Sequence, residues 1–148
     1  MDALFPEYNS SMPPIDKKIH ILLFGHYHTA EIRQTIEEQM GSSLITEVTN
    51  DQEMLAAITN TAPDVIIVLT DYLTPTEIFN STLTALINTK MNKRTIIISD
   101  NPFSFLSQAL DAKVASLLRY GTDSRDLGSI IYQVRTSCQL NPKFKRET

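Results

Sequence analysis

Pro63-Asp64-Val65-Ile66-Ile67-Val68-Leu69-Thr70-Asp71-Tyr72-Leu73-Thr74-Pro75-Thr76-Glu77 is the stretch whose reading decides the fold. Val65 to Leu69 is an unbroken apolar run rich in β-branched residues. That composition predicts a strand buried on both faces, as the central strands of parallel sheets are. Thr74-Pro75-Thr76-Glu77 then combines an N-cap hydroxyl, a proline suited to the first helical position and a capping-box glutamate. It is the strongest helix start in the chain, with Ile78, Leu83 and Ile87 as the expected apolar face. A buried strand that feeds straight into a helix is the unit from which parallel sheets are wound, because parallel neighbours need a crossover.

The same unit recurs on either side. Upstream, Ile19 to Phe24 is a near-continuous apolar strand broken only by His20. Thr29 can cap a helix with Ile32, Ile36 and Met40 on one face, and Gly41 sits where a glycine would end it. Leu44 to Val48 is a weaker strand, and Asn50 with Glu53 is a capping pair ahead of Met54, Leu55 and Ile58. Downstream, Thr95 to Ser99 is a fourth strand, and Asp100 with Pro102 opens a helix through Phe103, Phe105, Leu106 and Leu110. Val114 to Leu118 is a fifth strand. Thr122 or Asp123 then caps a last helix with Leu127, Ile130, Ile131, Val134 and Cys138 on its inner face.

Five strands alternating with five helices across residues 17–138 predict an α/β protein: a flavodoxin-like, doubly wound, five-stranded parallel sheet of order 2-1-3-4-5 with helices on both faces. The binding crevice of such a sheet lies where the winding reverses, at the carboxyl ends of strands 1 and 3. Phe24, Gly25 and His26 would line it from one strand, and Thr70, Asp71 and Tyr72 from the other. Residues 1–16, with Pro6, Pro13 and Pro14 and no periodicity, read as a flexible N-terminal arm. Residues 139–148, with Asn141-Pro142 followed by Lys143, Lys145 and Arg146, read as a basic tail or the start of a linker.

Composition narrows the function. The chain has 148 residues, 42% hydrophobic and 20% charged, which suits one domain. A formal net charge of -4 excludes a strongly basic nucleic-acid surface for the chain as a whole. The four glycines, Gly25, Gly41, Gly121 and Gly128, cannot be written into either standard phosphate-cradling loop. A single cysteine, Cys138, excludes an internal disulfide and a cysteine-based zinc site and suits a reducing cytoplasm. There is no readable signal peptide, and the longest apolar run, Val65 to Leu69, is far too short to span a membrane. Asn9-Ser-Ser and Asn80-Ser-Thr match the glycosylation pattern by chance. His20, His26 and His28 have no third ligand at metal spacing, and Ser99-Asp100 has no G-x-S-x-G elbow, so neither a metal site nor an enzyme is predicted. The aromatics Tyr72, Phe79, Phe103, Phe105 and Tyr120 suit core or dimer packing better than a ligand cage.

In order and spacing, four stretches resemble the receiver domain of response regulators, the CheY-like family. Pro63 to Pro75 is similar to that family's third strand, where an aspartate precedes a proline by four residues. Thr95-Ile-Ile-Ile-Ser99 resembles the fourth, which ends in a hydroxyl residue that senses phosphorylation. Val114-Ala-Ser-Leu-Leu-Arg119 resembles the fifth, which normally ends in lysine. Thr122 to Ile131 resembles the opening of the last helix in LuxR/NarL-type transcription regulators. The resemblance implies Asp71 as the phosphoacceptor, Ser99 and Arg119 as the residues that meet the phosphoryl group, and a signalling face with Arg119, Tyr120, Tyr132 and Arg135.

Two departures change the expected chemistry. Receivers of this kind hold Mg²⁺ with two acidic residues at the end of strand 1, where this chain has Gly25 and His26. Asp71 also lies two residues further from Pro63-Asp64 than usual, and Leu69 occupies the site by that count. The resulting expectation is an atypical, cytoplasmic receiver domain of a bacterial response regulator. It would control transcription as a homodimer or through a signalling partner, would reach DNA only through a domain absent from this chain, and would need no cofactor. Two alternatives stand beside it. One is a receiver that takes phosphate onto Asp71 from a sensor kinase with Mg²⁺; the other is a small-ligand sensor with Gly25, His26, Thr70 and Tyr72 around the crevice.

Overall fold

A computed structural model describes residues 18–41, 43–71, 73–121 and 124–147, with the side chains of the last helix described as far as Ser137. The elements are β1 (Ile19–Phe24), α1 (Thr29–Met40), β2 (Ser43–Val48), α2 (Asp51–Thr61), β3 (Val65–Thr70), α3 (Thr76–Asn88), β4 (Thr95–Ser99), α4 (Leu106–Ala112), β5 (Ser116–Arg119) and α5 (Leu127–Glu147). Short 3₁₀ turns precede β4, α4 and α5. The five strands pair in parallel in the order β2-β1-β3-β4-β5, as the alternation of the sequence predicts.

All six residues of β3 are buried, because helices cover both of its faces. Ile66 and Val68 face the cluster that takes in Met54 and Ala57 of α2, Phe79, Leu83 and Leu86 of α3, and Ala109 and Ala112 of α4. Val65, Ile67 and Leu69 face the other cluster, with Ile32 and Ile36 of α1 and Leu127, Ile131 and Val134 of α5. Each fully buried Val, Ile or Leu contributes about 1.5–3 kcal/mol, so the central strand alone anchors much of the core.

Local signals hold at α2 and shift elsewhere. The Glu53 N–H donates to Asn50 Oδ1 at 2.8 Å, and Glu53 Oε1 accepts from the Thr49 N–H at 2.9 Å, so the capping pair forms. Helix α1 is instead preceded by His28, in the left-handed region at φ 54°, while the Thr29 hydroxyl turns back to the Gly25 carbonyl. Helix α3 starts at Thr76 behind Pro75, and the Thr74 hydroxyl bonds to Asp71 rather than capping the helix. Its buried stripe is Phe79, Thr82, Leu83 and Leu86, with Ile78 and Ile87 exposed. The expected face of Ile78, Leu83 and Ile87 fails because a step of five residues turns about 140° around a helix.

Helix α4 is the larger correction. Phe105, Ala109 and Ala112 face the sheet, while Phe103, Leu106 and Leu110 point outward. Small alanines let α4 approach the sheet closely, which leaves the bulky residues of the neighbouring stripe in solvent. Strand β5 begins at Ser116, two residues later than expected. Of the expected inner face of α5, Leu127, Ile131 and Val134 are buried and Ile130 is half-buried. The Cys138 side chain, Thr122, Asp123 and the arm at 1–16 lie outside what is described. Helix α5 runs on to Glu147 through most of the segment read as a tail, where no glycine stands to end it. Among the described residues no helix is long and apolar enough to cross a membrane.

Removing the α2 cap should have a measurable cost. Asn50→Ala is expected to lower stability by about 1 kcal/mol, seen as a reduced urea midpoint at unchanged slope. An unchanged midpoint would show that the Asn50 bond contributes nothing net.

Candidate functional site

The carboxyl ends of β1, β2 and β3, with the first turns of α2 and α3, enclose a crevice of about 700 Å³. Gly25 and His26 line it, as expected from the point where the winding reverses, and so does Asp71. Thr70 does not, and Tyr72 lies outside the described residues.

Gly25 explains much of the local shape. Its backbone sits at φ +122°, and a Cβ built on it would lie 2.5 Å from the Leu69 carbonyl oxygen. The same residue donates its N–H to the Val48 carbonyl at 3.0 Å. The β1 end therefore passes directly over the β3 end, and no side chain fits at position 25. His26, next along, is exposed.

Tyr27, which also lines the crevice, and His28 reach from the end of β1 to Tyr120 just after β5. His28 stacks on Tyr120 with ring centroids 3.9 Å apart and planes within 5°, and Tyr27 meets Tyr120 edge-on at 5.6 Å. Burial, helped by the negative charges of Asp100 and Asp71, raises the Tyr27 pKa above the ordinary tyrosine value. The Tyr27 phenol thus stays protonated at neutral pH and can donate to the acidic groups beside it. Tyr120 is pushed up in the same direction, chiefly by burial and then by Glu31. Sequence reasoning missed Tyr27, whose only signal was adjacency to Gly25-His26 at the end of a strand, and weighed His28 only as a metal ligand, not as a ring stacked on Tyr120.

Asp71 is a turn residue. Its Oδ1 accepts from the Leu73 N–H at 3.0 Å and from the Thr74 hydroxyl at 3.3 Å, while its carbonyl accepts from the Thr74 N–H at 3.0 Å. This Asx turn reverses the chain between β3 and Pro75.

The residue in register with Ser99 is Thr70, and Ser99 is in turn paired with Arg119. Thr70, Ser99 and Arg119 therefore form the row across the strand ends, with Asp71 one residue beyond it. Thr70 is 3% exposed, and its hydroxyl has no partner among the described residues. Ser99 is fully buried and accepts the Asn101 N–H at 3.0 Å. Arg119 Nη1 donates to the Asp100 carbonyl at 3.1 Å.

The expected signalling face does not form as one surface. Arg135 is 8% exposed, with Nε 4.0 Å from Asp64 Oδ1 at the opposite end of the sheet. It follows Ile131 by four residues and so shares that residue's buried stripe. Tyr120 is half-buried beneath His28, which leaves Tyr132 exposed.

No family model matches the sequence, and no curated protein matches it in sequence. Solved structures do match in shape. A two-component response regulator of the LuxR family from Aurantimonas sp. superposes with a TM-score of 0.67 at 17% identity, over 82% of this chain and 87% of its own. A CheY-like receiver domain protein from Methanospirillum hungatei gives 0.64 at 18% identity, over 84% and 99%. A DNA-binding response regulator of the LuxR family from Staphylococcus aureus gives 0.57 at 16% identity, over 78% and 98%. The fold is that of response-regulator receiver domains.

The residues at the strand ends do not fit the Mg²⁺ that the receiver fold implies. Position 25 has no room for a carboxylate, His26 offers a poor Mg²⁺ ligand, and Oδ1 of Asp71 is committed to its turn. Among the described residues no group of three His, Cys, Asp or Glu side chains could hold a metal.

Any Cβ at position 25 must push β1 off β3. Gly25→Ala is expected to destabilise by at least about 1–3 kcal/mol, the cost of a strained backbone conformation, with the steric clash on top. Chemical denaturation measures it, and a variant as stable as the parent would show that the close approach of Gly25 to Leu69 is not required.

Proposed function

We propose that this chain is an atypical signal-receiving module, related in fold to bacterial response regulators. On this reading it acts by binding a partner or a second copy, without Mg²⁺-dependent phosphorylation of an aspartate and without enzymatic turnover. The contact between Gly25 and the Leu69 carbonyl carries the reading, because it removes the place where a metal-holding carboxylate would stand. The register supports it, since Thr70 rather than Asp71 stands in line with Ser99 and Arg119. A cytoplasmic location, a signalling protein as partner, and access to DNA through a further domain belong to the same reading; a sensor kinase as partner belongs to the phosphorylation-competent alternative.

Amide NMR titration with Mg²⁺ and beryllofluoride, a stand-in for the aspartyl phosphate, tests this on the chain and on Asp71→Asn. No saturable shift is expected at Asp71, Ser99 or Arg119. Saturable shifts that disappear in Asp71→Asn would overturn the reading and establish a phosphorelay role for Asp71.

A second copy is favoured as partner by the outward stripe of α4. Phe103 is 76% and Leu110 67% exposed, with Leu106 between them, a spacing that puts all three on one side of the helical segment. Two-fold pairing would bury the stripe against itself. Leu110→Glu should weaken self-association about tenfold or more, since burying one leucine is worth about 1.5–3 kcal/mol. Sedimentation equilibrium reads the change; a parent chain that stays monomeric, or a variant that associates equally well, would sink the dimer.

A further inference from the structure

We propose that the crevice at the ends of β1, β2 and β3 is a binding site for a small organic cation, an amine carrying an apolar body. The site does not depend on how the module passes its signal. Its volume of about 700 Å³ falls within the range of small-molecule pockets. Phe24 and Leu69 form part of its wall. Leu73 and Ile78 stand at its mouth, 70% and 56% exposed. Large apolar side chains left in water beside a cavity gain free energy when a ligand covers them.

Charge selects the class of ligand. Asp51, Asp71 and Glu77 line the crevice, and among the described residues no lysine or arginine does. Helices α2 and α3 open on it, but their N-termini supply only about +0.5 each, so the lining stays near a net charge of about -2. Phosphate and carboxylate ligands are repelled by that field. A metal ion is excluded on different grounds, because the three carboxylates belong to separate elements and no described group of donors converges well enough to hold one. A bulky ammonium ion needs no such convergence. It can sit among carboxylates several ångströms apart with its apolar body against the Phe24 and Leu69 wall.

Two of the three carboxylates, Asp51 and Asp71, are held in place before any ligand arrives. Asp51 accepts from the Ser81 and Thr82 hydroxyls, each at 2.7 Å, which ties the start of α2 to α3. Asp71 is fixed by its Asx turn. A preorganised site loses little conformational freedom on binding.

The experiment is an amide NMR titration of the full chain with phenethylamine and pentylamine, against 2-phenylethanol, 1-pentanol, 3-phenylpropanoate and hexanoate. The amines are expected to give saturable shifts at Gly25, His26, Asp51 and Thr74. They should bind about tenfold more tightly than the matched alcohols, as two or three partly exposed carboxylates would provide. The carboxylates should give no saturable shift. Asp71→Asn keeps the turn acceptor and Glu77→Gln keeps the helix, and each should weaken amine binding severalfold without changing the fold. The proposal is overturned if none of the six compounds saturates at these amides, if the carboxylates bind as well as the amines, or if both variants bind amines as the parent does. Beryllofluoride response is read separately, so failure here and failure of the proposed function remain distinct.

Discussion

Strand β3 has no face left for water. A strand buried along six residues on both sides can be satisfied only by parallel neighbours and by helices in two layers, since its backbone groups need partners on each edge and its side chains need cover above and below. β1 and β4 supply the edges. Helices α1 and α5 cover one face and α2, α3 and α4 the other, and each helix takes its buried stripe from what the sheet presents. The reversal of winding between β1 and β3 then follows from the strand order, and with it the place of the crevice.

At that reversal the strand ends and loops are held by close contacts. Gly25 brings the end of β1 down onto the Leu69 carbonyl, a distance that no other residue type permits. Asp71 spends an oxygen on closing the turn into α3. Tyr27 and His28 lie against Tyr120 between the ends of β1 and β5. Each contact ties a loop to the strand ends: Gly25 to β3, Asp71 to the start of α3, and Tyr27 and His28 to Tyr120. Thr70, Ser99 and Arg119 stand in register across the ends of β3, β4 and β5. The Thr70 hydroxyl in that row is buried without a partner among the described residues.

Strand order and layer arrangement were legible in the sequence because they rest on periodicity and composition, which are local. The apolar run at Val65 to Leu69 and the Asn50–Glu53 pair both mean in the structure what they mean in isolation. The crevice was legible as a position, since it follows from topology. Its contents were not. Whether Asp71, Leu69 or Thr70 stands opposite Ser99 depends on strand register, and counting from Pro63 or back from Pro75 gives different answers because loop length intervenes. Arg135 was assigned to a surface by analogy, whereas its spacing from Ile131 already placed it on the buried stripe of α5. Tyr27 carried no motif, and His28 only a histidine spacing that fits no metal; the tertiary approach of β5 is what brings both against Tyr120.

Helix α4 shows why residue size decides what periodicity leaves open. Two apolar stripes run along the segment from Pro102 to Ala112, one of Phe103, Leu106 and Leu110 and one of Phe105, Ala109 and Ala112, and by hydrophobicity alone the bulkier stripe should be buried. The space above β3 and β4 on that face is already taken by Phe79, Leu83 and Leu86 of α3. What remains admits one large ring, and Phe105 fills it against Phe79 with centroids 4.7 Å apart. The two alanines complete the fit at close range, because a packed interior has no room for a second set of leucines. The exposed stripe is therefore a consequence of the space that α3 occupies on that face. It leaves the molecule with an apolar surface that its own core cannot absorb.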